Sequence, residues 1–599
     1  MNEKTKKIIK KLLIVISMIS IAIFAYSITP KAFQNDTFYT IKIGEHIVKN
    51  TEKVTDLLPW NKGLDMQDPF SWHKDLPYTY PHWLYDVGTY AVYSAGGFQG
   101  IYYATCVLAI LLGWIIFGIN EKRSKRTILS FAITIASLFC LKNFIAARAQ
   151  LVTFILFALT YLGIEQFLKT GKVRYAIMLI IIPIIIANIH CAVWPFYFVL
   201  YMPYIVEQLI YWGLTNDYKS RIKKIKLLLK RRKLTKSEVE KQKLEIKKEQ
   251  EAHINNMDEK LEKCYKLRIR KEKNIKWLIL IVIICVFTGF LTPIKGTPYT
   301  YLLKTNEGNT TQNISEHLPL TLINNENMMI ILVIVLGILI FTRVKIKVSD
   351  FFMLSGLILM SFMSQRQVSM LVLIGNFILV KLICELLEKI DEKYKIKNSN
   401  YIYYYLILFI IMVIVNCILS IKGFKIRKEE NFINYSSYPV EAADFIENNL
   451  IPSVGIENLR LYNEYNYGSY LLYRNIPVFI DSRADLYTPE FNGEKGANGK
   501  YIGRDIFTDF LNISSLASDY ESKFSEYDIT HVITYSNSKL NSIIAKDYKY
   551  KQLYDDGNFT IYERSSAKKI EENDSEGSSN EKNQVFNINY SIIYNWSDN

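Results

Sequence analysis

Residues 98–143 read FQGIYYATCVLAILLGWIIFGIN, then EKRSKR, then TILSFAITIASLFCLKN. The first block carries no charge, and at ~1.5 Å per residue a block of that length reaches across the ~30 Å hydrocarbon core of a bilayer. The five charges of EKRSKR cannot follow it there. The stretch therefore reads as two membrane-crossing helices joined by a turn in water.

Working outward, similar blocks recur at roughly 12–28, 151–168, 175–190, 193–213, 277–293, 328–342, 350–364, 368–385 and 402–421, which with 98–118 and 128–143 makes about eleven passes. The fold class this implies is mainly α: a polytopic helical membrane protein. A soluble globular enzyme, a secreted disulfide scaffold and a disordered protein are excluded. The seven cysteines lie mostly in these blocks, with no CxxC and no zinc-like spacing, so no disulfide framework or structural zinc is expected.

Charge sets the orientation, because short cytoplasmic loops retain Lys and Arg. With the N-terminus inside, behind Lys4, Lys6, Lys7, Lys10 and Lys11, the inner loops hold Lys122–Arg126, Lys169–Arg174, Arg343–Lys347 and Lys389–Lys397, all basic. The first block is read as an uncleaved anchor, since no small-x-small cleavage site follows it. Of the net +15, the stretch Asp217–Lys276 supplies +12, with 22 Lys/Arg and 10 Asp/Glu. Basic charge confined to one loop does not point to nucleic acid. The insertion 214–276 is instead expected to form a cytoplasmic helical hairpin with some attraction to anionic lipid. Residues 30–97, the 294–327 loop and everything after about 422 then fall outside.

Residues 1–423 are thus expected to form the membrane domain, with 30–97 as its first outer loop. Residues 424–565 read as a small extracytoplasmic α/β domain, with a helix over Val440–Leu450 and strands over Leu459–Asn463, Tyr470–Tyr473, Val478–Ile480, His531–Tyr535 and Phe559–Tyr562. The polar tail 566–599 reads as disordered.

Ionisable groups at membrane depth are costly to keep and so mark functional positions. The outer side collects several. Asp36, just beyond the first pass, could act as a general base on a hydroxyl. The loop with Asp68 leads to Pro81-His82-Trp83-Leu84-Tyr85-Asp86, where aromatic residues at helical spacing suit an interfacial helix with His82 and Asp86 on one face. Arg148, His190, Glu316 beside His317, and Arg366 fall at outer ends of passes, and Arg is a natural clamp for phosphate. In the outer domain Asp481, Arg483 and Asp485 alternate as on one face of a strand. They could grip an acceptor, close over the membrane cavity, or form an ion-pair network that serves the fold alone.

These stretches together resemble the polytopic GT-C glycosyltransferases, and more narrowly a bacterial branch of multi-span proteins grouped with them. The matching stretches include Asp36-x-x-Tyr39, Asp68-Pro69-Phe70-Ser71-Trp72, His82-Trp83-Leu84, Gly96-Gly97-Phe98-x-Gly100, Ala147-Arg148-x-Gln150, Ala187-Asn188-x-His190, Thr292-Pro293, Ser315-Glu316, Arg366, Asn463–Tyr470 and Ile480–Tyr487. The resemblance covers most of residues 10–565. It departs at His317, at Cys191 and in the 60-residue insertion. It implies a sugar donor carried on a polyprenyl phosphate, entering from the outer leaflet, with Asp36 deprotonating the hydroxyl of a glycan, lipid or protein acceptor. Some members of the superfamily use a divalent metal, for which Asp36, Asp68 and His82 would be hard ligands. No other cofactor is implied. Two other readings stand beside it: a transporter or flippase of a lipid-linked glycan, and a non-catalytic envelope-assembly protein. Against the first, no internal repeat is visible.

Overall fold

The computed structural model describes residues 3–216, 218–230, 236–263, 266–321, 325–342, 344–393 and 401–565. The tail 566–599, read above as disordered, lies outside the described residues.

The chain is mainly helical. Among the described residues seven helical segments are long and apolar enough to cross a membrane: Lys7–Ile28, Trp83–Ser124, Thr127–Phe144, Ala149–Thr170, Cys191–Thr215, Gln365–Asp391 and Tyr403–Glu429. The shorter apolar helices Val173–Ile189, Ile275–Phe290 and Val348–Met363 fall under that length. Seven segments, rather than eleven, therefore meet the requirement on their own. The shorter ones are cut by local breakers. His190 leaves the helical region at φ −159°, ψ 72°, and Thr292-Pro293 follows the Ile275–Phe290 segment.

By contacts the described chain divides into two compact units. The helical unit comprises 1–65, 79–303 and 319–432. The sheet-bearing unit takes Met66–Tyr78 and Lys304–Leu318 together with the chain from Ile433.

The helical unit is organised around the Trp83–Ser124 helix. Gly97 interrupts it at φ 58°, ψ −152°, a conformation open to glycine and costly for other residues. The segment from Trp83, expected to form a helix of its own, is the helix before Gly97, and a second helix runs on from that break. The Asn35–Asn50 helix lies against the helix before Gly97. A Cβ on Gly44 would stand 2.1 Å from the Asp86 carbonyl oxygen, so only glycine allows the approach. The core is a continuous body of buried Leu, Ile, Phe and Tyr from most of the helices, among them Phe24, Leu112, Phe157, Tyr161, Leu278 and Phe377. Asn120 bonds Asn376 at 3.0 Å across two of these helices.

Among the described residues the sheet-bearing unit holds a four-stranded sheet of β1 (Leu461–Tyr462), β2 (His531–Tyr535), β3 (Tyr550–Asp555) and β4 (Phe559–Arg564), in the order β1-β2-β4-β3, and a separate antiparallel pair, Glu494–Lys495 with Tyr501–Ile502. β1 pairs parallel to β2, and the other pairings are antiparallel. Three sequence expectations are corrected. Tyr470–Tyr473 lies in a helix, Tyr465–Tyr473. Val478 makes only an isolated bridge, to Ser71. Asp481, Arg483 and Asp485 are not on a strand, since Ala484–Tyr487 is a 3-10 turn. The reason is local. The Asn463 side chain accepts from Phe479 N at 2.8 Å and donates to Ile480 O at 2.7 Å, so one amide takes the place of a neighbouring strand.

Candidate functional site

At one end of the helical unit, four helix termini meet. Asp36 sits in the first turn of the Asn35–Asn50 helix, and Arg148 is the residue before Ala149–Thr170. They form an ion pair at 2.8 Å, both about a quarter exposed. Thr37 Oγ1 donates to Ala147 O at 3.4 Å and ties the same two termini. His82 precedes Trp83–Ser124 and His190 follows Val173–Ile189. Their rings are 4.7 Å apart.

Three bonds hold that histidine pair in place. Cys191 N donates to Pro81 O at 3.0 Å. Trp83 Nε1 donates to Asn188 Oδ1 at 3.1 Å, and Asn188 Nδ2 donates to Leu291 O at 2.9 Å. Thr153 Oγ1 donates to Ala149 O at 2.9 Å and lies 3.1 Å from His190 Nδ1. A hydroxyl has one proton. With it given to Ala149, Nδ1 of His190 is the donor and Nε2 is left as an acceptor.

Arg366, in the 3-10 turn Gln365–Gln367, completes the group. Among the described residues no carboxylate pairs with its guanidinium. Burial pushes the His82 imidazole down to about 3, and the charges of Arg366 and Arg148 push the same way. Both arginines also act electrostatically on His190. Arg366 and His190 line a small cleft whose walls also hold Phe154, Phe157, Phe196 and Met370. A guanidinium beside an apolar wall suits an anion attached to a hydrocarbon chain. Asp86 is fully buried in the first turn of its helix, and its backbone carbonyl lies against Gly44.

The remaining residues singled out in the sequence belong to the sheet-bearing unit. Asp68 and Asp481 grip Arg483, each at 2.6 Å, with all three side chains buried. Arg483 Nε and the Tyr487 hydroxyl also donate to Asp481, and Phe70 and Tyr78 flank the guanidinium. Burial alone would raise the Asp68 carboxyl, but the Arg483 charge and hydrogen bonds from Arg483 and Ser71 hold it below its ordinary value. This is a closed ion cluster that pins the 66–78 strap to Val478–Arg483. The Asp485 backbone carbonyl accepts from Thr488 Oγ1 at 3.0 Å. Glu316 is exposed in the turn Ser315–His317.

The hard-ligand set Asp36, Asp68 and His82 does not fit a metal. Asp68 spends its oxygens on Arg483 and Ser71, Asp36 faces Arg148, and two guanidinium charges act on His82. Among the described residues no three His, Cys, Asp or Glu side chains converge as a metal set.

Sequence reasoning missed Thr153 and the aromatic wall, which are ordinary polar and apolar residues of a pass. It also missed a second polar group at the opposite end of the same helices. There Arg123 pairs with Glu165 at 3.1 Å and faces Asp350 at 3.6 Å. Lys381 bonds Asp350 at 2.8 Å, and Lys347 bonds Glu272 at 2.8 Å and faces Glu207 at 3.5 Å.

No protein-family model and no curated protein sequence matches this chain.

Proposed function

We propose that this chain is a GT-C-like membrane glycosyltransferase that moves a sugar from a polyprenyl-phosphate donor to a cell-envelope acceptor at the outer face of the cell membrane. In this reading the N-terminus is cytoplasmic, the sheet-bearing unit is extracytoplasmic, and four shorter helices add to the seven long ones to make eleven passes. The fourth of these is Glu326–Phe341.

The observation that carries the proposal is the cleft in which Arg366 and His190 stand beside Phe154, Phe157 and Phe196, with the Asp36–Arg148 pair joined to the same group of helix ends. A lipid phosphate would bind between Arg148 and Arg366 while its chain lies on the aromatic wall. Phosphate oxygens compete with Asp36 for Arg148, so donor binding releases the carboxylate that must act next. Asp36 then takes the acceptor hydroxyl proton as the oxygen attacks the anomeric carbon. The bond from that carbon to the phosphate oxygen breaks, its electron pair leaves on the polyprenyl phosphate, and the configuration inverts. The arginines hold the added negative charge. No step needs a metal.

The test is Asp36→Asn in a strain lacking the native copy, with envelope glycans profiled by mass spectrometry at equal protein level. The expected result is loss of one glycan modification. Full modification would remove Asp36 as the base. Movement of an unaltered lipid-linked sugar across vesicles holding the purified chain would make it a transporter instead.

A further inference from the structure

We infer that the helix Tyr218–Lys230 is an in-plane anchor that docks on anionic phospholipid. It begins three residues after Thr215, where the Cys191–Thr215 segment ends. With Lys236–Glu262 it forms a helical hairpin, and Lys223 bonds Glu249 across it at 2.8 Å. On this short helix Ser220 and Leu227 are the buried positions, as are Val239 and Ile246 on the long one. At ~100° per residue, Ser220 and Leu227 share one face. Tyr218, Ile222, Ile225 and Leu229 recur at intervals of four, three and four and fall on the face ~180° away. All four are more than half exposed, Leu229 at 80%. The hairpin thus satisfies its own packing with one face and leaves an apolar stripe on the other.

The sequence 218–230 holds six Lys or Arg and no acid, and the exposed Lys224 and Lys226 fall on either side of the stripe. A second copy of so basic a helix would repel the first, stripe to stripe. A surface of anionic headgroups over hydrocarbon matches both features: apolar side chains enter the headgroup boundary while lysines beside them meet phosphate. The position directly after a membrane-length segment keeps the helix near that surface at no translational cost. This inference does not depend on the glycosyl-transfer reading.

The experiment is hydrogen–deuterium exchange of peptides covering 218–230 in the full chain. It is reconstituted in vesicles of phosphatidylcholine alone, or of phosphatidylcholine with phosphatidylglycerol. Exchange should be about fivefold slower with phosphatidylglycerol. The slowing should survive dilution of protein into more lipid, and should vanish in the variant Ile222→Ser, Ile225→Ser, Leu229→Ser. These positions are exposed, so the variant retains its hairpin, which unchanged exchange at 239–254 verifies. Equal exchange in both lipids would overturn the proposal. So would protection that disappears on dilution, which would mean a second copy covers the stripe.

Discussion

The two ends of the helical unit hold comparable numbers of ionisable groups and use them in opposite ways. At one end Arg123, Lys347 and Lys381 are each held by carboxylates from other segments: Glu165, Asp350, Glu207 and Glu272. Tyr204 adds a hydrogen bond to Glu165 at 2.8 Å, and aromatic rings cover Arg123 and Lys347. At the other end, about 25 Å away along the Ala149–Thr170 helix, Asp36 and Arg148 form one partly exposed pair. Arg366 faces a cleft with no carboxylate of its own. A charge compensated on several sides stabilises packing and has little left for a ligand. A charge held by the backbone beside an apolar cleft retains its capacity for one. Position on a helix does not distinguish the two; the count of partners does.

The largest effect that would sharpen this contrast is Asp350→Asn. It leaves Lys381 and Arg123 without their shared carboxylate in a buried setting, and should cost about 3–5 kcal/mol of stability. Thermal unfolding of the purified chain in lipid nanodiscs measures it; a loss under ~1 kcal/mol would break the comparison. Next is Arg366→Met, which removes a charge with no partner to strand. Its unfolding should shift by less than ~0.5 kcal/mol, while under the proposed glycosyl transfer the rate should fall about 10- to 100-fold, the loss of one charged contact to phosphate. Radiolabelled donor turnover reads the second quantity.

A smaller effect extends the comparison to the sheet-bearing unit. Arg483 there resembles the compensated end, whereas no ion pair holds Glu464 among the described residues. Burial pushes the Glu464 carboxyl up to about 7, against an opposing hydrogen bond from the Tyr535 backbone. Its unfolded value lies near 4.5. Between those two pH values the folded state binds more protons than the unfolded, so this group's contribution is full below about 4.5 and is lost as pH rises through 7. Glu464→Gln should therefore stabilise the unit by about 1–2 kcal/mol at about pH 8 and change little at about pH 5. The slowest-exchanging amides of β2 and β4 report it. The smallest effect is Thr153→Val. It takes the hydroxyl from His190 Nδ1 and should lower turnover a few-fold, about 1 kcal/mol, with the pH–rate profile displaced because the ring is no longer held in one tautomer.

Several elements of the fold were legible in the sequence for simple reasons. Charge-free blocks bounded by Lys and Arg gave the long helices, since nothing in such a block can end a helix inside lipid. The strand His531–Tyr535 was read with its observed bounds, and the Lys/Glu-rich insertion was read as helical, although its second helix ends at Glu262 rather than near 276. Errors fell where a side chain replaced a backbone partner. Asn463 took the ladder bonds of residues 479–480, and no propensity scale carries that. Of the residues singled out for the site, Asp36, His82, Arg148, His190 and Arg366 come together in one group. Asp68, Asp481 and Arg483 close on one another elsewhere, because an Asp–Arg motif reads the same whether its partner is a ligand or a buried neighbour.

By itself the sequence determined that the chain is built of lipid-length helices and where its charges interrupt them, because hydrophobic length and backbone hydrogen bonding are properties of consecutive residues. Which of those charges are spent on one another and which face an open cleft depended on residues hundreds of positions apart. Arg123 and Asp350, or Asp68 and Arg483, become partners only when helices and straps are packed, and Coulomb attraction acts on distance in space rather than along the chain.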